Sequence, residues 1–76
     1  MDKNKLKILE ILSVIFDEYE ITEDLTKDDI EQWDSLASAQ IIMELEREFG
    51  KYLTYDEISS MNSVGDIIRI VIGGGI

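Results

Sequence analysis

The chain has no cysteine and no histidine among its 76 residues. Lacking cysteine, it can form neither a disulfide nor a thiolate metal site, so helix packing has to hold a small fold together. Lacking histidine, it has no side chain that titrates near neutral pH without help and lacks the commonest zinc ligand, which argues against autonomous catalysis. Positive charge is also scarce. Seven Lys and Arg stand against 17 Asp and Glu, a net charge of −10, which repels nucleic acid and anionic lipid and favours docking on basic protein surfaces. No apolar run approaches the roughly 18 residues of a membrane span. The stretch after the positively biased segment 1–7 is interrupted by Glu10 and Ser13 and then meets Asp17 and Glu18, unlike a signal peptide. The expectation is a soluble, cytoplasmic, monomeric protein with no nucleic-acid partner and no membrane insertion.

What is present is a helical pattern on a chain long enough for one small domain and too short for a second lobe. Leu6, Leu9, Leu12, Ile15 and Phe16 recur at helical spacing, and Ile8, Ile11 and Val14 widen the stripe, which predicts a helix from about Lys3 to Asp17. Lys3, Lys5 and Lys7 lie at its start, where the macrodipole disfavours cations, so that end is expected to fray. From Glu18 to Asp34 the periodicity disappears and eight acids surround Lys27, the single cation of the stretch. This is a long acidic loop, in which Thr26 and Asp29 are placed to cap a turn and Leu25, Ile30 and Trp33 to pin the chain to the core.

Asp34 to Gly50 carries the strongest helix signal: Asp34 to cap, Ile41, Ile42, Leu45 and Phe49 as the apolar stripe, and Gly50 to close. Thr54 with Glu57 and Ser63 with Asp66 have capping-box spacing. They predict a short helix from about Tyr55 to Ser60 and a last one from about Val64 to Ile72, with Val64, Ile67, Ile68 and Val71 on one face. The fold class is therefore all-α, a small four-helix bundle with a long first connection and a short third helix. The single domain spans 1–76 and is expected to be ordered over about 3–72, with Gly73, Gly74, Gly75 and Ile76 as a flexible tail.

Trp33, Asp34, Ser35 and Leu36 stand where the acidic loop enters the second helix. The run WDSLASAQIIMELEREFG resembles the Asp-Ser-Leu attachment motif and recognition helix of the acyl carrier protein family, and LTYDEISSMNSVGDIIRIV resembles that family's third and fourth helices. The likeness covers the chain from the first helix to Val71, and its specificity lies in the position of Asp-Ser-Leu between loop and helix. The resemblance implies that Ser35 carries a 4′-phosphopantetheine arm donated by coenzyme A, with an acyl or aminoacyl group as a thioester on its end. It also implies that Asp34 both caps the helix and is recognised by the transferase. The implied partners are a phosphopantetheinyl transferase, an acyl- or aminoacyl-loading (adenylating) enzyme, and a downstream acyltransferase or synthase. Those enzymes supply the catalysis and the protein itself is not an enzyme.

If Ile41, Leu45 and Phe49 point inward, helical spacing turns Leu36, Gln40, Met43 and Arg47 outward, with Ala39 and Glu46 beside them. By resemblance this face, Leu36, Met43 and Glu46 above all, meets partner enzymes. The chain departs from the fatty-acid type in Trp33, where Gly is usual, and in Ala37, Gln40 and Arg47, where acids are common. These departures place it nearer stand-alone carriers of dedicated pathways, such as D-alanyl or other aminoacyl carriers and those of polyketide or peptide assembly.

Each feature also has a plainer reading. Ser35 also fits a simple capping serine. Trp33 fits a packing anchor better than a functional contact. Met43 fits the core if the second helix is rotated. Asp24, Asp28, Asp29 and Glu31 lack the ligand order, central Gly and final Glu of a calcium loop. The glycine tail alone suggests a ubiquitin-type modifier, which the helical pattern opposes. The alternative function is a non-covalent acidic helical protein-interaction module that binds a basic partner through Leu36 and Met43.

Overall fold

The computed structural model describes residues 3–17 and 19–72 and contains four helices, α1 (Lys3–Ile15), α2 (Ser35–Phe49), α3 (Tyr55–Ser59) and α4 (Val64–Ile72). No strand occurs among the described residues. Among these residues extended backbone pairs only in an antiparallel bridge between Thr26 and Ser63. This is the small all-α bundle expected from the spacing. The expected flexible tail, Gly73 to Ile76, lies outside the described residues.

α2 is specified at both ends by its own sequence. Asp34 sits in extended backbone, and its carboxylate accepts a 2.9 Å hydrogen bond from the Ala37 N–H, using one of the first-turn donors that a helix leaves unpaired. Gly50 closes the helix at φ 62°, a left-handed conformation that costs glycine nothing. Ala37, Ile41 and Leu45 are buried in a line four residues apart, and Ile42 and Phe49 are half-buried beside them. Because Ala37 is buried, it is a packing residue. An acid there would lie in the core and not on a docking face.

α1 packs against both α2 and α4. Its buried line is Ile8, Leu12 and, just past its end, Phe16, whereas Leu6 and Val14 are exposed. The helix is apolar around more of its circumference than two neighbours can cover, so part of the expected stripe faces solvent. Its cationic start is braced by ion pairs from Lys5 to Glu23 and from Lys7 to Glu48, the latter at 3.5 Å. These surface pairs oppose the expected fraying but contribute only about 0–1 kcal/mol each.

α3 follows the capping box read from Thr54 and Glu57. The Glu57 N–H donates to Thr54 Oγ1 at 3.1 Å and the Thr54 N–H donates to the Glu57 carboxylate at 2.9 Å. That bond from the Thr54 backbone holds the Glu57 pKa below its ordinary value. The helix ends at Ser59, with Ser60 as its cap. No residue of α3 is fully buried. It is held by Leu53 and Met61 on either side, both buried, and by half-buried Ile58.

At α4 only half of the expected box forms. The Asp66 N–H donates to Ser63 Oγ at 3.0 Å, but the Asp66 carboxylate reaches past Ser63 to accept from the Asn62 N–H at 3.1 Å, and it pairs with Arg69 at 2.9 Å. Burial pushes the Asp66 carboxyl up, yet these bonds together outweigh it and leave the pKa below its ordinary value. The N–H groups of Val64 and Gly65 donate to the carbonyls of Leu25 and Glu23, at 2.9 and 3.0 Å, and the Lys27 N–H donates to Asn62 at 3.0 Å. Loop and helix start are thus sewn together through the backbone. Gly65 suits this approach, since a Cβ there would stand 3.3 Å from the Glu23 carbonyl oxygen.

The acidic loop is folded over its described residues, 19–34. Thr26 and Asp29 close a turn as expected, with the Thr26 N–H donating to the Asp29 carboxylate at 2.9 Å. The Glu31 N–H reaches the Tyr19 hydroxyl at 3.3 Å. Ile30 and Trp33 are buried, and the Trp33 ring lies tilted 5.6 Å from that of Phe16, which is the geometry of a packing anchor. The radius of gyration, 11.3 Å, is close to the value for a compact domain of this size, about 11 Å.

Candidate functional site

Ser35 is the first residue of α2, directly behind its cap. It is exposed, and its hydroxyl has no hydrogen-bond partner among the described residues. It is not the capping side chain, because Asp34 fills that position. The N–H groups of Ser35 and Leu36 have no partner among the described residues either. A free hydroxyl beside free N–H donors at the positive end of a helix is suited to carry an anionic substituent.

Ser35 also borders a cleft of about 600 Å³ between α2 and α3. Exposed Lys27, Asp34 and Ser35 form its outer, polar rim, and Trp33, Ile41, Met61 and Ile67 form its buried apolar wall. Half-buried Ile42 of α2 and Ile58 of α3 also line it. Lys27 makes no ion pair with a described residue. The sequence showed it as the one cation of the loop, and the folded loop brings it to the same cleft as Ser35.

The residues assigned to a docking face are distributed around α2. Leu36 and Met43 are 70% and 65% exposed, so Met43 is not in the core. Ala39 is exposed and lines the cleft on the α3 side, while exposed Gln40 lies with Met43 on the α1 side. Arg47 is exposed and ion-paired with Glu44 one turn earlier. Glu46 is half-buried, and one of its carboxylate oxygens accepts from the Leu53 N–H at 3.0 Å. That bond ties the α2–α3 connection to α2 and engages part of the charge offered to a partner. Helical spacing placed Glu46 beside the exposed stripe, and the seven-residue reach to Leu53 left no pattern in the sequence.

No group of three or more His, Cys, Asp or Glu side chains among the described residues could hold a metal ion. No described helix is long and apolar enough to cross a membrane. No protein-family model matches the chain, and no solved structure matches it.

Proposed function

We propose that this protein is an acyl carrier, bearing an acyl or aminoacyl intermediate as a thioester on a 4′-phosphopantetheine arm attached to Ser35. The observation that carries this reading is the placement of Ser35: exposed, unpartnered, behind the Asp34 cap and on the rim of the cleft. In the modification, the Ser35 oxygen attacks the pyrophosphate of coenzyme A. A new O–P bond forms, the O–P bond to 3′,5′-adenosine diphosphate breaks, and the serine proton is lost to solvent. The phosphodiester is then attached beside the free N–H groups of the first turn and shares a rim with Lys27, which favour its charge. The arm supplies the thiol that this cysteine-free chain lacks. A transferase, a loading enzyme and a downstream acyltransferase or synthase supply the chemistry, while the carrier contributes position and effective concentration. The reading places the protein in the cytoplasm, where it works as a monomer and is not itself an enzyme.

Incubation with coenzyme A and a promiscuous phosphopantetheinyl transferase, followed by intact-mass measurement, tests it. The expected result is one added arm on the wild type and none on Ser35→Ala. No gain on the wild type, or an equal gain on the variant, overturns it. The exposure of Leu36 and Met43 favours a second reading, a non-covalent module that binds a basic partner through that ridge. Under that reading Ser35→Ala retains full function.

A further inference from the structure

Resting on the reading of Ser35 as an attachment site, we infer that the enzyme modifying it also grips α1, inserting an apolar side chain flanked by Lys or Arg into a groove between α1 and α2. The groove is lined by Val14 and Ile15 from α1 and by Gln40, Met43 and Glu44 from α2. Val14 is 74% exposed, although it belongs to a helix whose other face reaches the centre of the core. Exposed Val14 and Met43 together give an apolar floor that no described residue covers.

Charge and position identify the occupant. Glu10 and Asp17 lie one turn before and after Val14, both exposed and neither in an ion pair with a described residue. Among the neighbouring charges, Glu44 is paired with Arg47 and Lys7 with Glu48, so each of these pairs cancels. The rim is therefore net acidic on a chain of net charge −10, which suits a basic partner and opposes a second copy of this chain. Met43 is eight residues beyond Ser35 on the same helix, about 12 Å along its axis. A standard interface covers about 800 Å² per partner, a patch about 16 Å in radius. An enzyme that centres its active site on Ser35 and approaches over Leu36 therefore covers the groove.

The test is the kinetics of arm transfer with coenzyme A saturating and the protein concentration varied. Val14→Arg is expected to lower kcat/KM about tenfold or more, through KM and with kcat retained, because it removes an apolar contact and sets a cation against the partner's basic residues. Val14→Leu should restore near wild-type values, and Leu6→Arg, on the same helix but outside the groove, should leave them unchanged. Val14→Arg and Met43→Ala should combine less than multiplicatively, because they share one contact. If the wild type accepts the arm and Val14→Arg behaves like Leu6→Arg, the groove is not part of the interface and the inference fails while the carrier reading stands. If the wild type accepts no arm, both fall. A wild-type dimer in sedimentation that Val14→Arg abolishes overturns the inference by assigning the groove to a second copy.

Discussion

The two walls of the cleft beside Ser35 are held in different ways. The α2 wall is rooted in the core by Ala37, Ile41 and Leu45, buried in one line and capped at both ends. The α3 wall is one short helix with no fully buried residue, fixed by its capping box and by the buried residues on either side of it. Side-chain burial draws on the whole core, whereas a cap draws on two or three local hydrogen bonds. Ser35 is therefore fixed on the rigid wall, and the cleft has room to change width on the other.

The strongest way to break this comparison is to attack the root of the rigid wall. Leu45→Ala is expected to cost about 2–5 kcal/mol of global stability, read from the midpoint of denaturant unfolding. Retention of wild-type stability would show that α2 is held by something other than its buried line. Matched cap removals sharpen the contrast. Asp34→Ala should lower global stability by about 1 kcal/mol. Thr54→Ala removes a bond of the same kind, but its effect should appear as roughly fivefold faster hydrogen exchange of the Ile58, Ser60 and Met61 amides, with the unfolding midpoint little moved. Equal shifts of the midpoint would mean that α3 unfolds only with the rest of the chain.

The smallest effect is one of pH. The Glu57 pKa is lowered on folding by the Thr54 N–H, so its carboxylate adds stability above the unfolded value, and that stability is lost as pH falls through the folded value. Glu57→Gln should exchange slightly faster than the wild type around α3 at pH 7, and the difference should fade as the pH falls through and below the lowered folded value. A difference independent of pH would show that the charge plays no part in the cap.

Helix starts were legible from the sequence because capping is local: Asp34 and Thr54 act within three residues, and the side chains that satisfy the first turn are the ones that mark it. The buried face of α2 was legible because its apolar stripe is narrow. α1 was less so, since its apolar residues run around most of the helix and only the positions of α2 and α4 decide that Ile8 and Leu12 turn inward while Leu6 and Val14 do not. The α1–α2 groove was hidden for the same reason, although Val14, lying nearly opposite Ile8 and Leu12 on the wheel, was a signal that one face could not bury them all. The attachment of the loop to α4 runs through backbone groups, which every residue possesses and no side chain announces. Ser35 itself, a hydroxyl just inside a capped helix start, was legible in full as a position, because the cap that marks the start is its neighbour Asp34.

The seam between the loop and α4 carries a mechanical consequence. The amides of Val64 and Gly65 end on loop carbonyls, so lifting residues 23–27 away from the body strips the first turn of α4 of its acceptors. Ile67 lies in the next turn and faces the cleft. A pull on the acidic segment too weak to break those bonds therefore bears on the helix that carries Ile67 of the cleft wall.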